Sequence, residues 1–190
     1  QSYGDAWIWV AFATPFRVVL AFVVGLLPQN HANRIDERVK YVTDNHIPFF
    51  TSDQLPAYRK ALLHVYGKDY QPALHLKRGR YPAKQRLPLP ELLYAGVVKH
   101  QENGHVIGVK RQIVFGDAEQ IEARLAASKQ SITINTRIKE RNNRTLREHN
   151  RRFDQKTTGF SKELLGLEKQ LWLSLAYYHL CLPHTSLREA

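Results

Sequence analysis

The chain has 190 residues, enough for one domain with a substantial core and too few for two large domains. Lys and Arg number 28 against 17 Asp and Glu, and the formal net charge of +11 favours a polyanionic partner such as nucleic acid or an anionic membrane surface. The single Cys181 excludes an internal disulfide and a cysteine-based zinc cluster, so we expect a reducing, cytosolic setting. Because the chain begins at Gln1 and contains no Met, we expect the natural translation start to lie upstream.

The apolar segment Ala6–Leu27 has the length of a membrane span. Its centre, however, holds a Thr-Pro pair followed closely by Arg17; a central arginine is costly in hydrocarbon, whereas Thr-Pro is typical of a turn. The better interpretation is a hairpin of two buried strands, about Trp7–Ala13 and Arg17–Val24, which are rich in Trp, Val, Ile and Phe. The membrane span stays open as an alternative.

The next elements are a helix, a short strand and a second helix. Apolar residues recur at i, i+4 and i+7 over about 33–43, which predicts the first helix. The apolar run Ile47–Phe50 predicts a strand that presents Asp53 just past its carboxyl end. Pro56 and Gly67 bracket the second helix, with proline in its first turn and glycine after its last. The order β-β-α-β-α indicates an α/β fold.

Residues 71–90 contain four prolines among five basic residues, which predicts an extended basic connection. A second hairpin is predicted over Leu93–Lys99 and His105–Phe115, because two Val/Ile-rich stretches flank an Asn-Gly turn signal. We therefore expect one domain over residues 1–190, with the connection and hairpin inserted at about 71–116.

Three helices are predicted in the last third of the chain, over about 117–127, 135–152 and 161–180. Ser131–Ile134 is read as a brief strand or an extended lead into the second of these helices. Ser161 is the predicted N-cap of the last helix, and Pro183 ends it.

Two acidic residues are candidates for chemistry. Asp53 follows a predicted strand, which is where open α/β sheets usually place their sites, although an Asp there also suits the cap of the following helix. Glu140 lies in a basic segment, since residues 131–156 hold eight Lys or Arg and three Asp or Glu. A solvated helix with Glu140 paired to Arg137 and Arg144 would explain the carboxylate but not the excess of positive charge.

A carboxylate set within a basic helix face can instead hold a divalent ion while its neighbours bind the phosphates of nucleic acid. Helical spacing predicts that Glu140 shares one face with several arginines. The predicted DNA-binding residues are Arg137, Arg141, Arg144, Arg147 and Arg151.

Several motifs carry a specific resemblance to one enzyme family. They look like the carboxyl-terminal signature and the second-aspartate block of DDE-type bacterial insertion-sequence transposases, closest to the insertion-sequence-one branch. An early strand pair, Gly4–Ala11 followed by Arg17–Gly25, resembles the family's as well. The other segments are Asn135–Arg147, Lys156-Thr157, Phe160–Lys162, Tyr177–His179, Pro183–Arg188, Thr51–Tyr58 and Tyr66-Gly67.

The resemblance implies a ribonuclease-H-like mixed sheet flanked by helices, in which two Asp and one Glu hold Mg²⁺ or Mn²⁺. Such ions activate water or a DNA 3′-hydroxyl and stabilise the leaving oxygen, and oxygen ligands suit hard cations. Asp53 would match the second Asp and Glu140 the Glu. DNA transposition by metal-dependent cleavage and strand transfer is the implied function, with transposon ends and target DNA as partners.

The resemblance also implies a deficit, because the family's first aspartate lies on a strand upstream of the segment that matches Gly4–Ala11. Only two strands are predicted before the first helix, so we expect the first strand to be missing and the chain to be inactive in strand transfer. Asp5 is a poor match for the absent acid. The implied setting is a bacterial nucleoid in the cytoplasm, with a homo-oligomer on DNA and no membrane. The alternative is a non-catalytic DNA-binding remnant or regulator derived from a transposase.

Overall fold

The first two strands form the predicted hairpin. The computed structural model describes residues 6–25, 29–53, 55–73, 82–102, 105–128, 134, 136–153, 159 and 161–184. Strands β1 (Trp7–Ala13) and β2 (Val18–Gly25) pair antiparallel, with Trp7 opposite Gly25 and one irregularity after Ala11. Asp5, Ser131–Thr133 and the Lys156-Thr157 motif lie outside the described residues.

The order β-β-α-β-α is confirmed, with shifts at two boundaries. Helix α1 (Gln29–Val42) begins four residues before the predicted start, because Gln29 is anchored by hydrogen bonds to Asn33 Oδ1 and to the Ala57 carbonyl, at 3.0 and 2.9 Å. Strand β3 (Phe50–Ser52) begins after most of the predicted apolar run, since a proline before it cannot donate to a ladder. Helix α2 (Pro56–Tyr66) has the predicted bounds.

The predicted second hairpin is confirmed and belongs to the central sheet. Strands β6 (Tyr94–Glu102) and β7 (His105–Phe115) pair antiparallel, and β3 lies parallel to β6 with Phe50 opposite Tyr94. Part of the predicted extended connection is ordered as a ribbon, in which β4 (Gly67–Tyr70) pairs antiparallel with β5 (Gln85–Pro88).

The three carboxyl-terminal helices are present with shorter bounds than predicted. They are α3 (Ala118–Ala126), α4 (Arg137–Glu148), which is followed by a 3₁₀ turn at Arg151–Phe153, and α5 (Leu164–Leu180). Helix α4 ends early because the Asn150 side chain accepts a hydrogen bond from the Arg152 N–H at 3.0 Å, competing with helical bonding. The N-cap prediction for Ser161 is wrong, since Glu163 holds that position in α5.

Helices cover both faces of the first hairpin. Side chains alternate along β1, so Trp9 packs with Ile35 and Val39 of α1. On the opposite face, Ile8, Val10 and Phe12 join the cluster that holds Leu146 of α4 and Leu171 of α5. The hairpin is thus sandwiched in a three-layer α/β arrangement, as an apolar strand pair requires.

The β1-β2 hairpin and the β3-β6-β7 sheet pack against the same helices, but no hydrogen-bonded ladder joins them among the described residues. Phe50 and Tyr58 contact both the cluster under the first hairpin and the cluster of Leu62, Tyr66 and Tyr94 under the second sheet. Strand β3 is the edge of the β3-β6-β7 sheet, and no ladder joins it to β1 among the described residues. We call this unpaired boundary between β1 and β3 the seam.

No helix among the described residues combines the length and the apolarity needed to cross a membrane. The segment that raised the membrane alternative is the β1-β2 hairpin, in which Trp9 and Val23 are almost fully buried against helix α1.

Candidate active site and nucleic-acid interface

Asp53 lies where its strand ends, as predicted. It directly follows β3, and its side chain is 68% exposed. The N-cap position of α2 is held by Leu55, so the capping alternative for Asp53 is wrong. Its carboxylate oxygen Oδ1 accepts a hydrogen bond from Lys139 Nζ of α4 at 3.3 Å. Asp53 is therefore tied to the basic helix, 86 residues further along the chain.

Glu140 lies in the first turn of α4, where the positive end of the helix dipole favours a carboxylate. Its Oε1 accepts hydrogen bonds from the Lys99 ammonium of β6 and from the Thr136 hydroxyl, the latter at 2.7 Å. Partial burial alone would raise the pKa of Glu140, but these hydrogen bonds and the charges of Lys99 and Lys139 outweigh it and lower the pKa below its ordinary value. Glu140 is consequently ionised at neutral pH.

The structure brings both predicted carboxylates to the amino end of α4. Lys139 and Glu140 are neighbours in α4; the first contacts Asp53 and the second contacts Lys99. Each carboxylate is therefore paired with an ammonium group. The carboxylates are 46 and 68% exposed and the Lys99 side chain is 34% exposed, and ion pairs at the surface contribute between zero and about 1 kcal/mol, so Lys99 can move away at little cost.

The donor atoms of the site are of the type that hard divalent cations prefer. Asp53 and Glu140 supply carboxylate oxygens, which Mg²⁺ and Mn²⁺ prefer. Within the described part of the chain, however, no group of three or more His, Cys, Asp or Glu is arranged to hold an ion. Asp5 lies outside that part. The described set therefore offers two ligands.

The basic face of α4 is exposed as predicted. Helix α4 buries Asn142 and Leu146, and the opposite side is open to solvent. Arg144 is 80% exposed and donates from Nε to Glu148 Oε1 at 2.6 Å, so it pairs with Glu148 along the helix. The exposed residues of this face are Arg137, Arg141, Arg144, Arg147 and, in the 3₁₀ turn, Arg151. Phosphates are bound by such a surface without base specificity.

Two basic residues of the hairpin complete the site and were not predicted. Lys99 of β6 binds Glu140, and Arg111 of β7 donates from Nε to the Ile134 carbonyl at 2.9 Å. These contacts fix the amino end of α4 against the sheet. Their signal in the sequence is weak, since a lysine and an arginine in a hairpin are typical of any solvated strand.

Buried polar groups without partners among the described residues include Asn142 of α4 and Asp36 of α1. Asn142 is 3% exposed, and neither its Nδ2 nor its Oδ1 has a hydrogen-bond partner among the described residues. It lies in α4 between Glu140, which contacts β6, and Leu146, which packs under β2. Asp36 of α1 is 5% exposed, and its Oδ2 also lacks a partner in the described part of the chain.

Burial and, to a lesser degree, the neighbouring Glu37 raise the pKa of Asp36 to about 8. Asp36 is close to Tyr58 of α2 and to Tyr94 of β6, because its charge contributes to raising the pKa of both tyrosines beyond the effect of burial. Tyr58 packs edge-on against Trp9 of β1 at 5.4 Å, and Tyr94 shares a 2.7 Å hydrogen bond with Ser52 of β3. Sequence patterns gave no reason to select Asp36.

The histidines of α5 and the following segment have structural roles. The Val19 N–H donates to His179 Nε2 at 3.0 Å on the outer edge of β2, and the His184 ring packs on Tyr178 at 4.7 Å between ring centres. Burial and the nearby His184 lower the pKa of His179, which keeps its Nε2 available as an acceptor.

Comparisons of this chain with protein-family models, with curated proteins and with solved structures found no match.

Proposed function

We propose that this chain is a DNA-processing domain of the DDE transposase type, in which Asp53 and Glu140 are metal ligands and the α4 face binds DNA. The observation that carries the proposal is that both carboxylates contact or belong to the first turn of α4, where Lys139 contacts Asp53 and its neighbour Glu140 contacts Lys99, beside an exposed row of arginines. Nucleic-acid cleavage needs hard-oxygen ligands next to a phosphate-binding surface, and these residues supply both.

Other residues of the chain would position the metal ligands and bind the phosphates. When bound, Mg²⁺ or Mn²⁺ activates the nucleophile, either water or a DNA 3′-hydroxyl, and stabilises the leaving oxygen. Thr136 orients Glu140 through its 2.7 Å hydrogen bond, and Arg111 fixes the amino end of α4 on β7. Lys99 and Lys139, released from the carboxylates, would face the phosphates.

We propose in addition that the sheet is ribonuclease-H-like and that its first strand is not among the residues that the structure describes. A strand in the seam would pair with β1 on one side and β3 on the other, and would join the two groups into one sheet. Its polar groups could also satisfy Asp36 and Asn142, which are buried without partners among the described residues. The third carboxylate of the family pattern would lie on that strand, beside Asp53.

Binding of Mn²⁺, followed by electron paramagnetic resonance, tests the ligand assignment without requiring activity. We expect Asp53→Asn and Glu140→Gln each to weaken Mn²⁺ binding about tenfold or more, because each removes one of two charged ligands. Asp69→Asn, an exposed acid on β4, is the control and should bind as the parent chain does. Unchanged Mn²⁺ affinity in both site variants would contradict the assignment of Asp53 and Glu140 as metal ligands. Plasmid nicking that both variants retain would also contradict it.

The second candidate is a DNA-binding protein that derives from a transposase and does not cleave DNA. It is favoured by one observation: a lysine ammonium already neutralises each carboxylate. In this case the positive charges of Lys99 and Lys139 replace the ion, and the chain binds duplex DNA equally well with Mg²⁺ or with EDTA.

The double variant Lys99→Met/Lys139→Met separates the two candidates. If the lysines replace the ion, the parent chain binds no Mn²⁺ and the double variant gains Mn²⁺ binding. If the carboxylates already bind metal, the parent chain binds Mn²⁺ at the outset and nicks supercoiled plasmid once a seam strand is supplied. Lys110→Met on the exposed part of β7 controls for the loss of a positive charge.

A further inference from the structure

A groove with two helical walls runs along the outer edge of strand β2. Helix α1 packs on one face of the β1-β2 hairpin and helix α5 on the other, so the edge of β2 forms the floor between them. The volume of the groove is about 640 Å³. Trp172, Ala176 and Leu180 line the α5 wall at successive turns, and Tyr41 lines the α1 wall. The groove is therefore a concave surface built on regular elements.

The two walls are apolar and open to solvent. Trp172 is 61% exposed, and Tyr41 and Leu180 are each 84% exposed. The Trp172 ring packs edge-on against Phe22 of β2, at 4.8 Å between ring centres, which holds the ring in place. Large apolar side chains that line a preformed groove are typical of a surface that a partner covers.

The charged residues around the groove are mostly basic. Arg34 and Arg38 line it one helical turn apart on α1. Helical spacing places Lys169 on the same side of α5 as the groove wall, and this lysine is exposed. The single acid of the lining is Glu37, whose Oε1 lies 3.7 Å from Nε2 of His64 on α2. Three cations and one acid favour a partner with negative charge beside its apolar surface.

The backbone at the floor of the groove favours a helix over an extended peptide as the occupant. A peptide that adds a strand to a sheet edge needs free N–H and C=O groups along that edge. In β2, the Val19 N–H donates to His179 Nε2 at 3.0 Å, and the Phe22 carbonyl accepts a hydrogen bond from the Arg38 guanidinium. A helix satisfies its own backbone and needs only side-chain contacts.

The size of the groove also suits a helix. A helix about 10 Å across with a pitch of about 5.4 Å occupies about 420 Å³ per turn, so a groove that holds half of its girth takes about 210 Å³ per turn. The observed 640 Å³ then corresponds to about three turns. Trp172 and Leu180 lie about 12 Å apart along α5, which is a little less than the length of three turns.

We propose that this groove binds an acidic, amphipathic α-helix of a partner protein. Apolar side chains at i, i+3 and i+7 of that helix contact Trp172, Leu180 and Tyr41, and its Asp or Glu residues pair with Arg34 and Lys169. The small Ala176 side chain lets the incoming helix approach α5 closely, to the usual 8–10 Å between axes. The inference is independent of the proposed function, because it uses neither carboxylate of the candidate site nor the arginines of α4.

Two stapled peptides of about 14 residues provide the first test, since unstapled helices of that length are marginal in water. Both carry leucines at i, i+3 and i+7; one has glutamates beside them and the other has lysines. At about 0.15 M salt, where only nearby charges act, we expect the whole chain to bind the glutamate peptide about fivefold or more tightly than the lysine peptide, by fluorescence anisotropy. Leu180→Glu should abolish this binding, whereas Ile107→Glu, on an exposed part of β7, should bind as the parent does.

A reversal of charge tests whether the groove itself selects the acidic helix. Arg34→Glu/Lys169→Glu changes the sum of the charges of Arg34, Glu37, Arg38 and Lys169 from +2 to −2. This variant should prefer the lysine peptide, and it should fold normally because both side chains are exposed. Lys60→Glu/Lys68→Glu makes the same change of net charge on α2 and β4 and should keep the parent's preference for the glutamate peptide.

Three results would overturn the proposal. The first is equal affinity of the parent chain for the two peptides, or no binding of either at about 1 mM peptide. The second is an Arg34→Glu/Lys169→Glu variant that still prefers the glutamate peptide. The third is another occupant: binding of oligothymidylate, of phosphatidylglycerol vesicles or of a second copy of the chain that Leu180→Glu abolishes, without any binding of the glutamate peptide.

Discussion

The acids of this chain differ in environment far more than in sequence context. Asp53 and Glu140 are exposed and held by lysines, whereas Asp36 is buried with one carboxylate oxygen unpaired among the described residues. Burying a carboxylate without a compensating partner disfavours its charged form, so the proton stays on Asp36 well above the ordinary range. Asp36 thus weakens the fold at neutral pH, where an unfolded chain would ionise it.

We predict that Asp36→Asn stabilises the protein at neutral pH. The unfolded carboxyl ionises near its ordinary pKa of 3.8, whereas the folded carboxyl keeps its proton up to about 8. The folded state therefore binds the extra proton between these values, and the free energy of unfolding of the parent chain falls as pH rises through that window. At about 1.4 kcal/mol per pKa unit, over the roughly three units between 3.8 and pH 7, the gain in Asp36→Asn should be on the order of 4 kcal/mol at pH 7 and near zero below pH 4.

Urea unfolding at several pH values measures this difference. Asp44→Asn is the matched control, since Asp44 is exposed and its positive φ of 48° suits Asn as well as Asp. The control should follow the parent chain at every pH. A free energy of unfolding for Asp36→Asn that is lower than the parent's at pH 7–8 would contradict the burial argument.

At the scale of elements, α4 joins the two strand groups and presents the candidate interface. The helix runs from Glu140, which contacts Lys99 of β6, to Leu146, which packs under β2, and its exposed side carries the arginines. Periodicity alone predicted the exposed side, because charged residues at i, i+4 and i+7 cannot be buried together. The inner side depended on where the sheet lies.

We predict that the arginines of this face contribute to DNA affinity through phosphate contacts and therefore through salt dependence. In Arg147→Gln/Arg151→Gln, the slope of the logarithm of the binding constant against the logarithm of salt concentration should fall by about 2, near 0.9 for each contact. Lys60→Gln/Lys68→Gln removes the same charge from α2 and β4 and should leave the slope nearly unchanged. Equal slopes for both double variants, measured by fluorescence anisotropy on one duplex, would show a diffuse charge effect and no defined face.

At the scale of the whole molecule, helices α1 and α2 hold together two strand groups that share no hydrogen-bonded ladder among the described residues. Phe50 and Tyr58 each pack into the clusters on both sides of the seam. A continuous apolar core predicts a single cooperative unit even where the sheet is interrupted.

We predict that Leu92→Ala and Leu171→Ala both lower the same unfolding transition, each by about 2–5 kcal/mol. Both side chains are fully buried, Leu92 beside the second sheet and Leu171 under the first hairpin. Leu87→Ala on β5, which is 44% exposed, should change the free energy of unfolding by no more than about 0.5 kcal/mol. A biphasic curve in which each variant shifts a different phase would mean that the two groups fold separately.

Local patterns determined the elements of this chain. Strong β-formers around a Thr-Pro turn specified the β1-β2 hairpin, an Asn-Gly pair between alternating strands specified β6 and β7, and the Pro56 and Gly67 pair bounded α2. These signals act within a few residues, so they are present in the sequence itself. The placement of Asp53 at a strand end and of Glu140 in a helix within a basic run was predicted for the same reason.

Only the tertiary structure decided what surrounds those residues. The lysines that bind the carboxylates come from a helix and a strand 86 and 41 residues away from their partners, and no local period encodes such pairs. The start of α1 depended on a contact with Ala57, and the Asn150 side chain that ends α4 is also held by Ser174 of α5. The seam, the buried Asp36 beside it and the uncovered side of α5 likewise arise from how elements pack, since burial is set by distant neighbours and not by the adjacent residues.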